Sequence, residues 1–267
     1  MKKVVLITGG SSGIGKSVGE FLTEKGFTVY GTSRNPSKIK NYSFNLIPLD
    51  VTDIESIKKA VKKVVENEGK LDILINNAGM GITGPIEDTP TDEMRKVFET
   101  NFFGAIDMMK AVLPQMRKQQ NGLIINVTSI AGYMGLPFRG IYSATKGALE
   151  LVTEATNMEV KNFGIKVTNV APGDFATNIA SGRYHTPVFE NSAYKKVYQE
   201  NLDLMNSHVS GGSNPLEMAK AIYKIINTDK PKLHYKVGDF MQKFSIVLKR
   251  ILPDKLYEKL LMNHYKL

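Results

Sequence analysis

Tyr142 and Lys146 are four residues apart, which puts both on one face if the segment is helical. A phenol titrates near 10 and is a poor acid or base at neutral pH. An ammonium about 4 Å away favours the phenolate by roughly 4 kcal/mol at an effective dielectric of 20. That is enough to bring a tyrosine into service as a general acid or base. Ser129 follows the apolar run Leu123 to Thr128, which reads as a strand. Ligands in open α/β sheets bind at the C-terminal ends of strands. A hydroxyl there, beside a tyrosine–lysine pair, suits proton transfer to or from a carbonyl or alcohol oxygen. Tyr-x-x-x-Lys by itself is common on helices, so the argument depends on its surroundings.

A second group of residues suits phosphate binding. Thr8-Gly9-Gly10-Ser11-Ser12-Gly13-Ile14-Gly15 lies between a β-branched apolar run and a helical stretch. Backbone N–H groups of such a loop, with the helix N-terminus behind them, can hold a pyrophosphate. Gly9 permits the tight turn, Gly13 lets backbone approach the ligand, and Gly15 allows close helix–strand packing. Dinucleotide folds usually place an acid about 20 residues further on, against the ribose 2′-hydroxyl. Here that position reads Gly31-Thr32-Ser33-Arg34. Ser33 can hydrogen-bond a 2′-phosphate and Arg34 can pair with it. The expectation is NADP(H) rather than NAD.

Positioning these groups requires alternating strands and helices, and the chain supplies them. Strands are expected near residues 3–8, 28–32, 45–50, 73–76, 123–128, 165–170 and 233–236. The helices between them are expected near 53–68, 91–118, 142–162 and 215–227, the first running from the glycine loop to Lys25. Asp53 is placed to cap one helix, Gly26 to end another, and Pro114 to bend the end of a third. The run Ile73-Leu74-Ile75 has no polar face, as a parallel strand covered on both sides requires. The fold class is therefore α/β: a single-domain Rossmann-type doubly wound parallel sheet of about seven strands flanked by helices. One domain is expected over residues 1–267, with a substrate lid at about 173–214 and a basic amphipathic C-terminal extension at about 239–267.

The order and spacing of the glycine loop, Asn76-Asn77-Ala78-Gly79, Asn101, Ser129, Tyr142-Ser143-Ala144-Thr145-Lys146 and Pro172-Gly173-Asp174-Phe175-Ala176-Thr177 resemble the short-chain dehydrogenase/reductase family. The resemblance is to its single-domain branch and spans about residues 3 to 228. It implies that Tyr142 is the general acid in carbonyl reduction, or the base in alcohol oxidation. Lys146 would tune Tyr142 and hold the nicotinamide ribose, Ser129 would bond the substrate oxygen, and Asn101 would anchor a water relay. For the cofactor it implies Gly9, Ser11, Ser12, Gly13, Ile14 and Gly15 at the pyrophosphate, and Ser33 and Arg34 at the 2′-phosphate. Asp50 and Val51 would meet the adenine, and Asn77, Ala78 and Gly79 the ribose. Pro172, Gly173 and Thr177 would surround the nicotinamide. The family is usually dimeric or tetrameric, through helices carrying Asn101 and Tyr142, so a homodimer or homotetramer is expected.

Some 29 residues follow Lys236-Val237-Gly238. With the long segment after Gly173, this is similar to the subgroup of 17β-hydroxysteroid and retinol dehydrogenases. A bulky apolar ketone or aldehyde is the implied substrate. Met134 and Leu136 would form the wall of its pocket, with Tyr184 and His185 reaching from the lid and Ile179 beside them. Two alternatives are a 3-oxoacyl reductase-type activity and an NADP(H)-binding redox sensor that does not turn over.

Composition narrows the field. The chain has 267 residues, 42% hydrophobic and 23% charged, which excludes disorder and fibrous repeats for the whole. It has no cysteine, so disulfides and thiolate metal sites are excluded; no metal is expected. The apolar run after Met1-Lys2-Lys3 is too short for a signal peptide, and a cytoplasmic location is expected. The net charge is +9, and residues 230–267 alone carry nine basic and three acidic residues. Those charges sit in an apolar amphipathic tail without an aromatic stacking platform, so nucleic acid is not expected as a partner. The tail suits a lid, a subunit contact or a membrane surface.

Overall fold

The computed structural model describes residues 2–38, 42–176, 182–210 and 212–267. Its centre is a seven-stranded sheet of β1 (Val4–Ile7), β2 (Thr28–Ser33), β3 (Asn45–Pro48), β4 (Ile73–Asn76), β6 (Gly122–Val127), β7 (Ile165–Pro172) and β9 (His234–Val237). The order across the sheet is β3-β2-β1-β4-β6-β7-β9, and every neighbouring pair is parallel. A separate two-stranded ladder pairs β5 (Ile82–Thr83) with β8 (Tyr184–His185).

Successive side chains of a strand point to opposite faces, and β1 divides that way. Val4 and Leu6 pack with Ile57, Val61 and Val64 of α2 (Ile54–Glu68) and Met108 and Val112 of α4 (Gly104–Gln119). Val5 and Ile7 pack with Val18 and Leu22 of α1 (Gly13–Glu24) and Met218 and Ile222 of α7 (Pro215–Ile226). Covering both faces leaves β1 no solvent side, so all four of its residues are apolar and buried. Helix ends follow local chemistry. The Asp53 carboxylate accepts the N–H of Glu55 at the start of α2, and Gly69 ends it at φ 71°. Gly26, at φ 86°, turns the chain after α1.

Two expected elements differ. Residues 91–118 are not one regular helix: α3 (Thr91–Phe98) passes through a π-helical turn (Glu99–Phe103) into α4, and Asn101 sits in that turn. Pro114 lies inside α4, which runs to Gln119, one residue past the expected end. The segment expected as a lid at about 173–214 contains β8 and α6 (Lys195–Ser210). The polypeptide then closes with α8 (Phe240–Ile251) and α9 (Asp254–Tyr265), while α5 (Gly140–Glu159) carries the tyrosine–lysine pair. The chain reverses its direction of travel across the sheet between β1 and β4, the switch point where doubly wound sheets bind ligands.

Candidate active site

The glycine loop follows β1 at that switch point. Gly9 and Gly13 adopt φ of 65° and 51°, left-handed values that suit glycine. A Cβ on Gly15 would lie 2.3 Å from the Gly9 carbonyl oxygen, so only glycine lets the helix start this close to the loop. The Thr8 hydroxyl accepts the N–H groups of Asn77 and Ala78, each at 2.9 Å. Asn77 returns the bond, its Nδ2 donating to the carbonyls of Thr8 and Gly9. The loops after β1 and β4 are thereby locked together, with Asn77, Ala78 and Gly79 facing the switch point. Ser11 and Ser12 sit at the tip, where Tyr42 donates to the Ser11 carbonyl at 2.7 Å. Gly10 to Ser17 also has the G-x-x-x-x-G-K-S spacing of a triphosphate loop. Lys16, however, pairs with Glu20 at 3.7 Å and lies over the Tyr42 ring on the outside of α1.

Ser33 ends β2 and accepts the N–H of Asn35, while Arg34 is exposed just beyond it. The loop after β3 holds Asp50 and Val51. Asp50 Oδ1 takes both the N–H and the hydroxyl of Thr52, leaving Oδ2 as the atom any adenine contact would use. Val51 is buried beneath Gly104.

The polar residues at the sheet's centre are held from several sides. Ser129 caps a short 3₁₀ turn (Ile130–Tyr133), its Oγ accepting the N–H of Ala131 at 3.2 Å. With that lone pair engaged, the hydroxyl proton is left for a ligand oxygen. Lys146 is buried; its Nζ donates to the Val127 carbonyl at 3.0 Å and lies 6.0 Å from the Tyr142 ring centre. Burial pulls the Lys146 pKa down, and the neighbouring Tyr142 works against that. Asn101 accepts the Met80 N–H at 2.8 Å and donates to the Met80 carbonyl and the Thr145 hydroxyl. Its carboxamide therefore ties the loop after β4 to α5. A Cβ on Gly79 would lie 3.2 Å from Asn101 Oδ1 and 3.5 Å from Lys146 Nζ, so Gly79 keeps both within reach of one small space.

Two cavities meet at Ser129. The smaller, about 70 Å³, is lined by Ile14, Tyr142, Pro172, Gly173 and Arg183 among others. The larger, about 630 Å³, has Met134 and Leu136 in its wall, together with Leu248, Leu260 and Leu261 from the C-terminal helices. Ser129, Arg139, Gly173 and Asp174 line both. A donor set of glycine loop, switch-point asparagines and a tyrosine–lysine pair opening onto Ile14 and Pro172-Gly173 fits a nicotinamide dinucleotide.

Several expectations need revision. Tyr184 and His185 line neither cavity. Their backbone pairs with Ile82 and Thr83, His185 Nδ1 lies 3.1 Å from the Thr83 hydroxyl, and Tyr184 packs behind Tyr142 in an apolar cluster. The adjacent Arg183 is the lid residue that reaches the site. It is buried, and its Nη1 has no hydrogen-bond partner among the described residues. Burial, then the nearby Arg139, pulls its pKa below the ordinary arginine value. Thr177 and Ile179 lie outside the described residues. Sequence reasoning also missed Asp174 and Gln242. Gln242 Nε2 donates to Asp174 Oδ2 at 2.8 Å, and a Cβ on Gly173 would strike Gln242 Oε1. The only sequence signal for Asp174 was its place directly after Pro172-Gly173.

Comparison with known proteins gives the family and the fold. Residues 3–187 match the family model described as short chain dehydrogenase. The chain is 40% identical over 264 residues to a 3-ketodihydrosphingosine reductase of Bacteroides thetaiotaomicron, covering 98% of each. A short-chain dehydrogenase structure from Streptomyces avermitilis superposes with a TM-score of 0.85 at 32% identity, covering 100% of this chain and 97% of that one. The structure of ElxO with NADP bound gives 0.71 at 31% identity, covering 89% and 97%.

Proposed function

This chain belongs to the short-chain dehydrogenase/reductase family, and from that premise we propose that it reduces a long-chain ketone to its alcohol with NADPH. The observation that carries the substrate class is the cavity of about 630 Å³ beside Ser129, with an apolar wall closed by α8 and α9. Its volume is in the range of ligand pockets that bury most of a sizeable apolar molecule. Asp174 and Asp239 also line it. The Bacteroides relative is named for a 3-ketodihydrosphingosine, a long alkyl chain whose ketone stands beside an amine. We infer an amino ketone of that class here, its ammonium drawn to Asp174 and its chain lying along Met134, Leu136, Leu248 and Leu261.

A reduced nicotinamide, when bound, supplies the hydride. The protein's own groups handle the oxygen. The Ser129 hydroxyl donates to the ketone oxygen, and the Tyr142 hydroxyl gives it a proton as the alcohol forms. The phenolate left behind is stabilised by the Lys146 ammonium, which Val127 holds in place. Asn101 fixes the turn beside Lys146 through Met80 and Thr145. Arg183 Nη1, unpartnered among the described residues, offers a donor to a ligand oxygen in the smaller cavity. The absence of an acid after β2, with Ser33 and Arg34 in its place, supports NADPH over NADH. The family's usual helix pairing suggests a homodimer through α5, where Leu151 and Met158, seven residues apart, stand exposed; light scattering would check it.

A homologous series of amino ketones with increasing chain length, assayed with NADPH, tests the substrate reading. Each methylene taken into an apolar wall contributes about 0.8 kcal/mol, roughly fourfold in kcat/KM, until the cavity is filled. A flat response to chain length, or turnover confined to short 3-oxoacyl thioesters, would rule the reading out.

A further inference from the structure

The apolar stripe of α8 faces outward. Phe240, Phe244, Val247 and Ile251 recur at spacings of four, three and four, which is one face of a helix. Phe240 is 72% and Ile251 71% exposed, and the rings of Phe240 and Phe244 stack on each other at 5.6 Å. The inward positions are different residues: Ile246 packs on the turn after Ser129, and Gln242, Ser245 and Leu248 line the large cavity. Packing and cavity closure therefore use one face of α8 and leave the other apolar face without a function. On α9, Leu256 and Leu260 are also exposed. Exposed apolar patches of this kind mark interaction surfaces.

We propose that the outer face of α8 and α9 docks on an anionic lipid bilayer. Charge selects this occupant. Lys243, Lys249, Arg250, Lys255 and Lys259 lie on the same two helices, and residues 230–267 carry six of the chain's nine net positive charges. A second copy seated isologously on this face would bring two such tails together, whereas acidic headgroups neutralise them. The position of the cavity supports the same occupant. Met241 and Leu260 both line it and stand exposed, so its rim lies on this face. That the docked face admits substrate rests on the long-chain reading above; docking itself does not.

The test uses the full chain without substrate or cofactor, sedimented with vesicles of phosphatidylcholine alone or mixed equally with phosphatidylglycerol. The protein is expected to pellet with the mixed vesicles and to come off as salt is raised. Phe240→Ser with Ile251→Ser should weaken the partition at least about tenfold, since each removes an apolar side chain from the contact. Lys255→Glu with Lys259→Glu should weaken it on anionic vesicles as well. Neither pair lines the cavity except through neighbours, so reduction of a short, water-soluble ketone should be unchanged. Equal sedimentation with and without phosphatidylglycerol, or variants that pellet like the parent, would overturn the proposal. A dimer that dissociates in the Phe240→Ser, Ile251→Ser variant without any vesicle binding would assign the face to a second copy instead.

Discussion

Gln242 holds Asp174 at two points: its Nε2 donates to Oδ2 at 2.8 Å, and its Oε1 accepts the backbone N–H of the same residue at 3.3 Å. This clasp joins α8 to the loop after β7, so the C-terminal extension and the site's carboxylate are set by one side chain. If Asp174 receives a substrate ammonium, Asp174→Asn should cut kcat/KM for an amino ketone by about tenfold to a hundredfold, the range of a charged hydrogen bond. A ketone of equal length without the amine should be nearly unaffected. Gln242→Ala should shift the same ratio less. Equal losses on both ketones would mean that Asp174 is structural.

Replacing Tyr142 by Phe removes the proposed proton donor and little else, because the ring's packing against Ile82, Val97 and Ala131 is kept. Turnover should fall by about 10²–10⁴, the usual worth of a general acid. NADPH binding, followed by nicotinamide fluorescence, should persist. Retained turnover would reassign the acid; a parent with binding but no turnover on any carbonyl would favour the sensor alternative.

The sheet was legible in the sequence because a strand covered on both faces must be a continuous apolar run, and Val4–Ile7 and Ile73–Ile75 are such runs. The glycine loop was legible because Gly9 and Gly13 need left-handed backbone. The part of the large cavity's wall that α8 and α9 supply was not. Leu248, Leu260 and Leu261 come from segments more than a hundred residues away from Ser129, and no local pattern tells a cavity-facing leucine from a core one. Tyr184 and His185 misled for a related reason. Strand pairing fixes Tyr184 and His185 beside Ile82 and Thr83, and it is the residue just before that ladder, Arg183, that lines the smaller cavity with Tyr142.

The proposed preference for NADPH is tested at the end of β2. Arg34→Leu should weaken NADPH binding by about tenfold to a hundredfold through loss of one charge-assisted contact, while NADH binding stays level. Ser33→Asp should go further and reverse the preference, since a carboxylate there repels a phosphate and accepts from a 2′-hydroxyl. Fluorescence titration with both cofactors checks it; equal effects on the two would remove Ser33 and Arg34 from the 2′-phosphate site.

Glu150, one turn beyond Lys146 on α5, is buried and accepts the Thr128 hydroxyl at 2.9 Å. Burial pushes its carboxyl up to about 7 from an ordinary 4.5. The folded state then holds this proton more tightly than the unfolded chain does. Stability is therefore greatest below the unfolded value and declines as pH rises through about 7. Glu150→Gln keeps an acceptor for Thr128 and removes the charge. It should raise stability by about 2–3 kcal/mol at pH 8, several degrees in Tm, with the gain shrinking toward zero at pH 5. A gain independent of pH would dissociate it from this carboxyl.

Arg183 should show stability and activity moving in opposite directions. A buried guanidinium whose Nη1 is unpartnered among the described residues costs the folded protein free energy, and the nearby Arg139 adds repulsion. Arg183→Met fills similar volume against Gly81 without the charge. The variant should be more stable by about 1–3 kcal/mol by denaturant melting. If Nη1 serves a ligand oxygen in the cavity it shares with Tyr142, kcat/KM should fall at least about tenfold in the same variant. The two readings separate cleanly: a residue that merely packs would lose stability and keep its activity, whereas a retained donor for the ligand yields a more stable protein that reduces its ketone poorly.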